Sequence, residues 1–381
     1  MMDQLPEDII LRILSRLPVI SLMQSILVCR AWRSLIQHPL LATKHFSHMV
    51  NKGTSTFIFQ SNRPELSYRL CFVDFSDHNE GNVIFKKLPD SYKSRYLVDS
   101  CNGLLCMRDS QGLYICNPFT RRYLELPKLI DYPMAVGHIG FGFHQTTNEY
   151  KVIKIISRRP LLRRRYRNLG ATSMSVFSTE VHVLTIGDPA WRNLGTIPYD
   201  FSWPTPKAMV KGRLHWLSRP NRQTTASLVV SFDLATEQIQ EVPKPDCCGL
   251  DKCLHQLMVL RGCLSAGAYH ENEQLEIWVM KQYGAKESWS KEFTIGAYLP
   301  RTVQQRNLIF GLHRRARLPN SYVRVLCILE TGEILLEYRN RAIVVYDPQH
   351  ETFKEVTFPE MSHWFKIVMQ VGCLNWIDTP L

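Results

Sequence analysis

Residues 116–127 read Cys116-Asn117-Pro118-Phe119-Thr120-Arg121-Arg122-Tyr123-Leu124-Glu125-Leu126-Pro127, and the chain returns to this pattern twice in degenerate form. Phe232-Asp233-Leu234-Ala235-Thr236-Glu237-Gln238-Ile239-Gln240-Glu241-Val242-Pro243 is one echo. Tyr346-Asp347-Pro348, followed by Phe353-Lys354-Glu355-Val356, is the other. Counted from Asn117, Asp233 and Asp347, every copy has Tyr, Ile or Phe six residues on, Glu eight on, and Leu or Val nine on. An Asx at a strand end, a tight turn and then alternate apolar residues spell a hairpin. Asn or Asp suits the corner because its side chain bonds the backbone two residues ahead.

Outward from these copies, short runs rich in β-branched and aromatic residues cover 56–60, 104–107, 113–116, 151–156, 181–186, 228–232, 275–280, 334–338 and 343–346. Gly, Pro, Asn and Asp punctuate them at short intervals. Asp188-Pro189-Ala190-Trp191-Arg192 and Glu287-Ser288-Trp289-Ser290-Lys291 resemble one another as a further strand-turn unit with a Trp. Past residue 50 the periodicity is two-residue, and no long amphipathic helix is legible. The reading is all-β. Hairpins repeated over some 330 residues point to radial repetition, and blades of about 40–50 residues predict a β-propeller of roughly six or seven. A pair of β-sandwiches is the main alternative.

The first 46 residues differ. Leu5-Pro6-Glu7-Asp8 starts a helix, with proline at its first turn and acids at the positive end of the dipole. Ile9, Ile10, Ile13, Leu14 and Leu17 follow at helical spacing, and Pro18 stops them. Ser21 is a cap for a second helix carrying Leu22, Met23, Ile26 and Leu27. A third begins near Cys29, carries Trp32, Leu35 and Ile36, and ends at His38-Pro39. So small a three-helix unit is marginal alone. Its apolar residues must pack either on the rest of this chain or on a partner's helices.

Leu5-Pro6, Leu17-Pro18, Ser21-Leu22 and Val28-Cys29-Arg30-x-Trp32-Arg33-x-Leu35-Ile36 stand in the order and spacing of an F-box, and the segment resembles one; Ile20, Gln24 and Ser25 depart from the common pattern. A second resemblance covers most of the remainder. Ser100-Cys101-Asn102-Gly103-Leu104-Leu105-Cys106, Cys116-Asn117-Pro118-Phe119-Thr120 and Gly140-Phe141-Gly142-Phe143-x5-Tyr150-Lys151-Val152 look like the F-box-associated domain of plant F-box proteins. Ser231-Phe232-Asp233-Leu234 and Val345-Tyr346-Asp347-Pro348 fit its later repeats. That domain is similar to kelch propellers, although the paired glycines of a kelch blade are missing here. The resemblance implies an F-box at 1–46 and a substrate-binding β domain at 47–381. It implies the receptor subunit of a Skp–cullin–F-box ubiquitin ligase, which reaches a cullin through a Skp-family adaptor and holds a target protein on the β domain. The residues matched for the adaptor are Leu5, Pro6, Ile9, Leu17, Pro18, Leu22, Val28, Cys29 and Trp32, with Trp32 the best single anchor. Ile13 and Leu14 are assigned to internal packing.

Composition bounds the setting. The N-terminus has no basic-then-apolar signal, no apolar run reaches membrane-spanning length, and no Asn-x-Ser/Thr acceptor occurs. The 11 cysteines, several of them (Cys29, Cys101, Cys106, Cys116, Cys263, Cys327 and Cys373) among apolar neighbours, read as reduced thiols. A cytosolic or nuclear protein is expected. The net charge of +12 is uneven, with dense runs at 157–167 and 313–317. Such runs are solvated loops, import signals or patches for an acidic partner. Arg158, Arg159, Arg163, Arg164, Arg165 and Arg167 are the candidate substrate contacts, through Arg–phosphate or Arg–carboxylate pairs. No nucleic-acid-binding signature accompanies them. A basic propeller that scaffolds protein or RNA complexes, with its helices as a dimerisation element, is the alternative.

Catalytic motifs are missing from the sequence: no phosphate loop, nucleophile elbow or His-Glu-x-x-His occurs. Gly137-x-x-Gly140-x-Gly142 reads as a structural turn, since no helix follows to hold a phosphate. Cys247, Cys248, Cys253, His255 and Cys263 lack the paired spacing of a zinc knuckle. No metal or cofactor is expected. A ligase receptor needs no chemistry of its own, because it acts by proximity.

Overall fold

The repeated corners form as their residues dictate. The computed structural model describes residues 6–51, 56–61, 69–75, 84–88, 95–129, 136–158, 178–199, 201, 207–218, 228–245, 254–269, 274–304, 323–357 and 365–379. Asn117 Oδ1 accepts from the amides of Phe119 and Thr120 at 2.8 and 3.1 Å. Asp233 Oδ1 accepts from Ala235 and Thr236 at the same two distances. Asp347 Oδ1 accepts from Gln349 and His350 at 2.8 and 3.4 Å. Four residues past each Asx the backbone turns left-handed, at Arg121 (φ 62°), Glu237 (58°) and Glu351 (52°).

Among the described residues the strands form six four-stranded antiparallel sheets, each a meander of the propeller-blade type. Blade 1 contains β1 (Thr56–Ser61), β2 (Leu70–Asp74) and β3 (Ile84–Lys87). Blade 2 is β4 (Tyr96–Cys101), β5 (Leu104–Arg108), β6 (Leu113–Cys116) and β7 (Tyr123–Glu125). Blade 3 is β8 (Val136–His144), β9 (Glu149–Arg158), β10 (Ser178–Thr185) and β11 (Arg192–Ile197). Blade 4 is β12 (Ala208–Val210), β13 (Arg213–Ser218), β14 (Leu228–Asp233) and β15 (Ile239–Val242). Blade 5 is β16 (Leu254–Leu260), β17 (Cys263–Tyr269), β18 (Leu275–Met280) and β19 (Trp289–Ile295). Blade 6 is β20 (Val323–Ile328), β21 (Ile334–Tyr338), β22 (Ala342–Asp347) and β23 (Thr352–Val356). The last strand, β24 (Phe365–Met369), returns to blade 1 and pairs with β1 from Phe57↔Met369 to Ser61↔Phe365. Of the six or seven blades expected, six are present, and the sandwich alternative falls.

The chain divides into two compact units, Met1–Leu126 with Ile295–Leu381, and Pro127–Thr294. In the first, four helices precede the strands: α1 (Glu7–Leu14), α2 (Val19–Ser25), α3 (Arg30–Ile36) and α4 (Pro39–Asn51). The sequence reading expected three. His38-Pro39 does end α3, but Pro39 also opens α4, where its missing N–H costs nothing. Ser21 is not a cap; it lies inside α2, and Pro18 precedes the first helical residue. His45 on α4 is buried and its Nε2 lies 2.9 Å from Leu17 O, which fastens α4 over the corner between α1 and α2. Leu11, Leu14, Val19, Leu22, Ile36 and Leu41 join Ile58, Phe72, Leu105, Met107 and Leu374 in one buried cluster, so the helices sit on their own blades.

In the second unit, the glycines read as a turn belong to strand β8. A Cβ on Gly140 would meet Trp216 Cζ2 at 2.7 Å, and one on Gly142 would meet Leu234 Cδ1 at 2.8 Å. Their function is close approach of blades 3 and 4. The two Trp units behave alike: Trp191 Nε1 donates to Pro127 O at 2.7 Å, and Trp289 Nε1 to Pro243 O at 2.8 Å.

Candidate functional site

Helix α1 has two apolar faces instead of the single one its spacing suggested. Leu11 and Leu14 point into the cluster, while Ile9 and Ile13, four residues apart, stay exposed. After α2 ends at Ser25, Leu27 and Val28 occupy the turn into α3 and are 79% and 69% exposed. Leu40 and Val50 on α4 are also exposed, so six of the ten large apolar side chains exposed among the described residues lie within the first 51. Singly such residues need no explanation, but their concentration in one small module does.

The residues matched for a partner fall into three groups. Pro6, Ile9, Pro18, Val28 and Cys29 are exposed. Leu17 and Trp32 are half-buried and pack on the internal cluster, so Trp32 is already partly spent on the chain's own core. Leu22 is wholly buried and presents no surface; its place at i+3 from Val19 turns it inward. Leu5 lies outside the described residues. Cys29, grouped by sequence with buried thiols, is exposed and caps α3, its Sγ accepting from the Trp32 amide at 3.5 Å. Ile13, assigned to internal packing, belongs to the outer face. Nothing in the sequence separates Ile13 from Leu14 until the position of the blades is known.

Among the substrate candidates, Arg158 ends strand β9. Arg159, Arg163, Arg164, Arg165 and Arg167 lie outside the described residues, as do the basic run at 313–317 and Cys247, Cys248 and Cys253. His255 stands against Tyr269, ring centroids 4.3 Å apart, and Cys263 is half-buried at the start of β17.

Buried ionisable groups stand at the seams that join blade 6 to blade 1 and blade 1 to blade 2. Glu337 on β21 is 1% exposed and burial raises its carboxyl, while Arg324 on β20 pairs with it through Nε at 2.6 Å. Arg324 also donates to Ile367 O on β24 at 2.8 Å, and Lys366 on β24 donates to Val98 O on β4 at 2.8 Å. Each cation is the second residue of a blade's first strand and reaches the third residue of the next. Burial lowers Lys366 to about 8. The thiols of Cys116, Cys327 and Cys373 are pushed by burial up to about 12, which leaves them protonated and poor nucleophiles.

The protein carries a helical module with an apolar outer face seated upon propeller blades, and comparison with known proteins gives this arrangement a family. Residues 48–374 match the F-box associated beta propeller domain, and residues 2–48 match the F-box-like family. The chain belongs to the F-box proteins with an associated β-propeller. An F-box protein of Arabidopsis thaliana is 41% identical over 399 residues, covering 100% of this chain and 94% of that protein. An F-box/kelch-repeat protein of the same plant is 27% identical over 313 residues, covering 76% of this chain and 79% of its own. The Arabidopsis F-box protein CPR1 is 24% identical over 395 residues, covering 98% and 89%. In this F-box protein α1–α3 and most of α4 fall in the F-box-like match, and all six blades fall in the propeller match.

Proposed function

We propose that this F-box protein is the substrate-recognition subunit of a Skp–cullin–F-box ubiquitin ligase in the cytosol or nucleus. An F-box implies a Skp-type adaptor in general. The observation that carries the reading here is the split of α1–α3 into an inner face on the blades and an outer face of Ile9, Ile13, Leu27 and Val28. An adaptor that lays apolar helices across this outer face buries side chains that are otherwise left in water, at roughly 25 cal/mol per Å². The blades hold the target, and the receptor contributes proximity rather than bond chemistry.

Ile9→Asp and Val28→Asp test the reading. Both side chains are exposed, so the fold tolerates the changes, while a charge in an apolar interface is costly. The full chain is expected to capture a purified Skp-family adaptor, and each variant to lose most of that capture at unchanged thermal stability. Capture undiminished by both substitutions would remove the outer face from the interface. Strongly salt-dependent RNA binding without adaptor capture would favour a scaffold instead.

A further inference from the structure

Residues 370–379, which follow β24, run between the helices and blade 2. On the helix side, a Cβ on Gly372 would stand 2.8 Å from Val19 Cγ1 and 3.5 Å from Phe72 Cε2, so only glycine lets α2 rest directly on this segment. Leu374 is buried in the cluster that contains Leu11 and Leu14. On the blade side, Gln370 Nε2 donates to Gly103 O at 2.6 Å and Asn375 Nδ2 to Asn102 O at 3.4 Å. Asn117 Nδ2 donates to both Cys373 O and Asn375 O, at 3.1 and 2.8 Å. Arg122 lies over the Trp376 ring, 4.7 Å from its centroid.

The internal repeat shows what is special about Asn117. Asp233 and Asp347 turn the equivalent corners through Oδ1 alone, so an aspartate would turn this one as well. What asparagine adds is an NH2 group, and that group is bonded to two carbonyls of the C-terminal segment. We propose that residues 370–379 are a clamp that fixes the adaptor-docking helices at one attitude on blades 1 and 2, with Asn117 and Gly372 as its positioning residues. The proposal rests on the receptor reading: a subunit that works by proximity needs its two ends held in a fixed relation.

Hydrogen exchange on the full chain, alone and with a purified Skp-family adaptor, tests it. Asn117→Asp keeps the corner acceptor but sets a carboxylate against two carbonyls; Gly372→Val drives a branched side chain into Val19. Both are expected to speed exchange of the amides of α1–α4 by about tenfold, while blades 3–5 keep native rates. Val19→Ala placed on Gly372→Ala is expected to restore protection that Gly372→Ala alone loses. Helix protection unchanged in Asn117→Asp and Gly372→Val overturns the proposal. So does acceleration spread evenly over all blades, which would make the segment a general stabiliser. If the unmodified chain captures no adaptor, the receptor reading fails, while the exchange pattern still decides whether the clamp exists.

Discussion

Glu237 serves two cations from a left-handed backbone position that few non-glycine residues occupy. Arg192 grips both of its oxygens at 2.6 and 2.7 Å, and Lys151 Nζ sits 2.8 Å away. The Arg192 hydrogen bonds, helped by Lys151, hold the carboxyl down to about 2 despite burial. Glu237→Gln strips a counter-charge from Lys151, whose side chain is 6% exposed, and is expected to cost roughly 1–3 kcal/mol in denaturant titration. A loss under about 0.5 kcal/mol would mean that Glu149, 3.5 Å from Lys151, takes over. His215 sets a second pH window. Burial lowers it to about 4, with Nδ1 3.2 Å from Ala208 O and Nε2 2.8 Å from Tyr283 OH. Above 6.5, the value of the unfolded group, the ring is neutral in both states and contributes no pH dependence. Between 6.5 and about 4 the unfolded chain takes up a proton that the folded chain refuses, so stability falls as pH falls, by up to ~3 kcal/mol. His45, also lowered by burial, acts in the same direction. Thermal midpoints measured from pH 7 to 4 are expected to drop, and less steeply in His215→Gln; parallel curves would clear His215 of the effect. Glu237 adds its own loss only below 4.5.

At the scale of the element, one hairpin design recurs with different surroundings. Asn102-Gly103, Lys211-Gly212 and Arg261-Gly262 are two-residue turns with positive φ at both positions, joining the first two strands of blades 2, 4 and 5. Gly262 faces open space, whereas a Cβ on Gly103 would lie 2.0 Å from Cys373 Sγ and 2.8 Å from Val371 O. Gly262→Ala is expected to cost about 1 kcal/mol for backbone strain alone, and Gly103→Ala about 3 kcal/mol or more because overpacking is added. Equal costs would show that the C-terminal segment yields freely. The same contrast explains what was legible in the sequence. All nine strand runs read from composition are the second or third strands of their blades, buried on both faces and therefore nearly continuous in apolar residues. The outer strands carry less of that signal, β7 and β11 being exposed along almost their whole length, so the last strands of blades 2, 4 and 6 were legible only through the Asx corner that precedes each of them. The Asx corners were legible because their chemistry is local. The orientation of Ile13 and Leu22 was not, because it depends on where blades 1 and 2 lie.

For the whole molecule, the helices proposed to dock an adaptor are also the cover of an internal cluster. Removing residues 1–51 would expose Ile58, Phe72 and Met107 to water, so a chain of blades alone is expected to bind hydrophobic dyes and self-associate. A monomeric, dye-free blade chain with native melting behaviour would show that the cover is dispensable. Point changes on the outer face are therefore the cleaner probe of docking. The pairing of β24 with β1 has a consequence for how the protein is made. A ribosome releases β1 long before β24, so blade 1 waits unfinished until β24 emerges, while the later blades, built from neighbouring segments, fold as they appear. A product ended early by a nonsense codon before residue 365 would lack its closing strand and the part of its helices' seat that Gly372 and Leu374 supply. Its bare apolar strands would mark it for chaperones and proteases, rather than let it circulate as a decoy that occupies the adaptor without carrying a target.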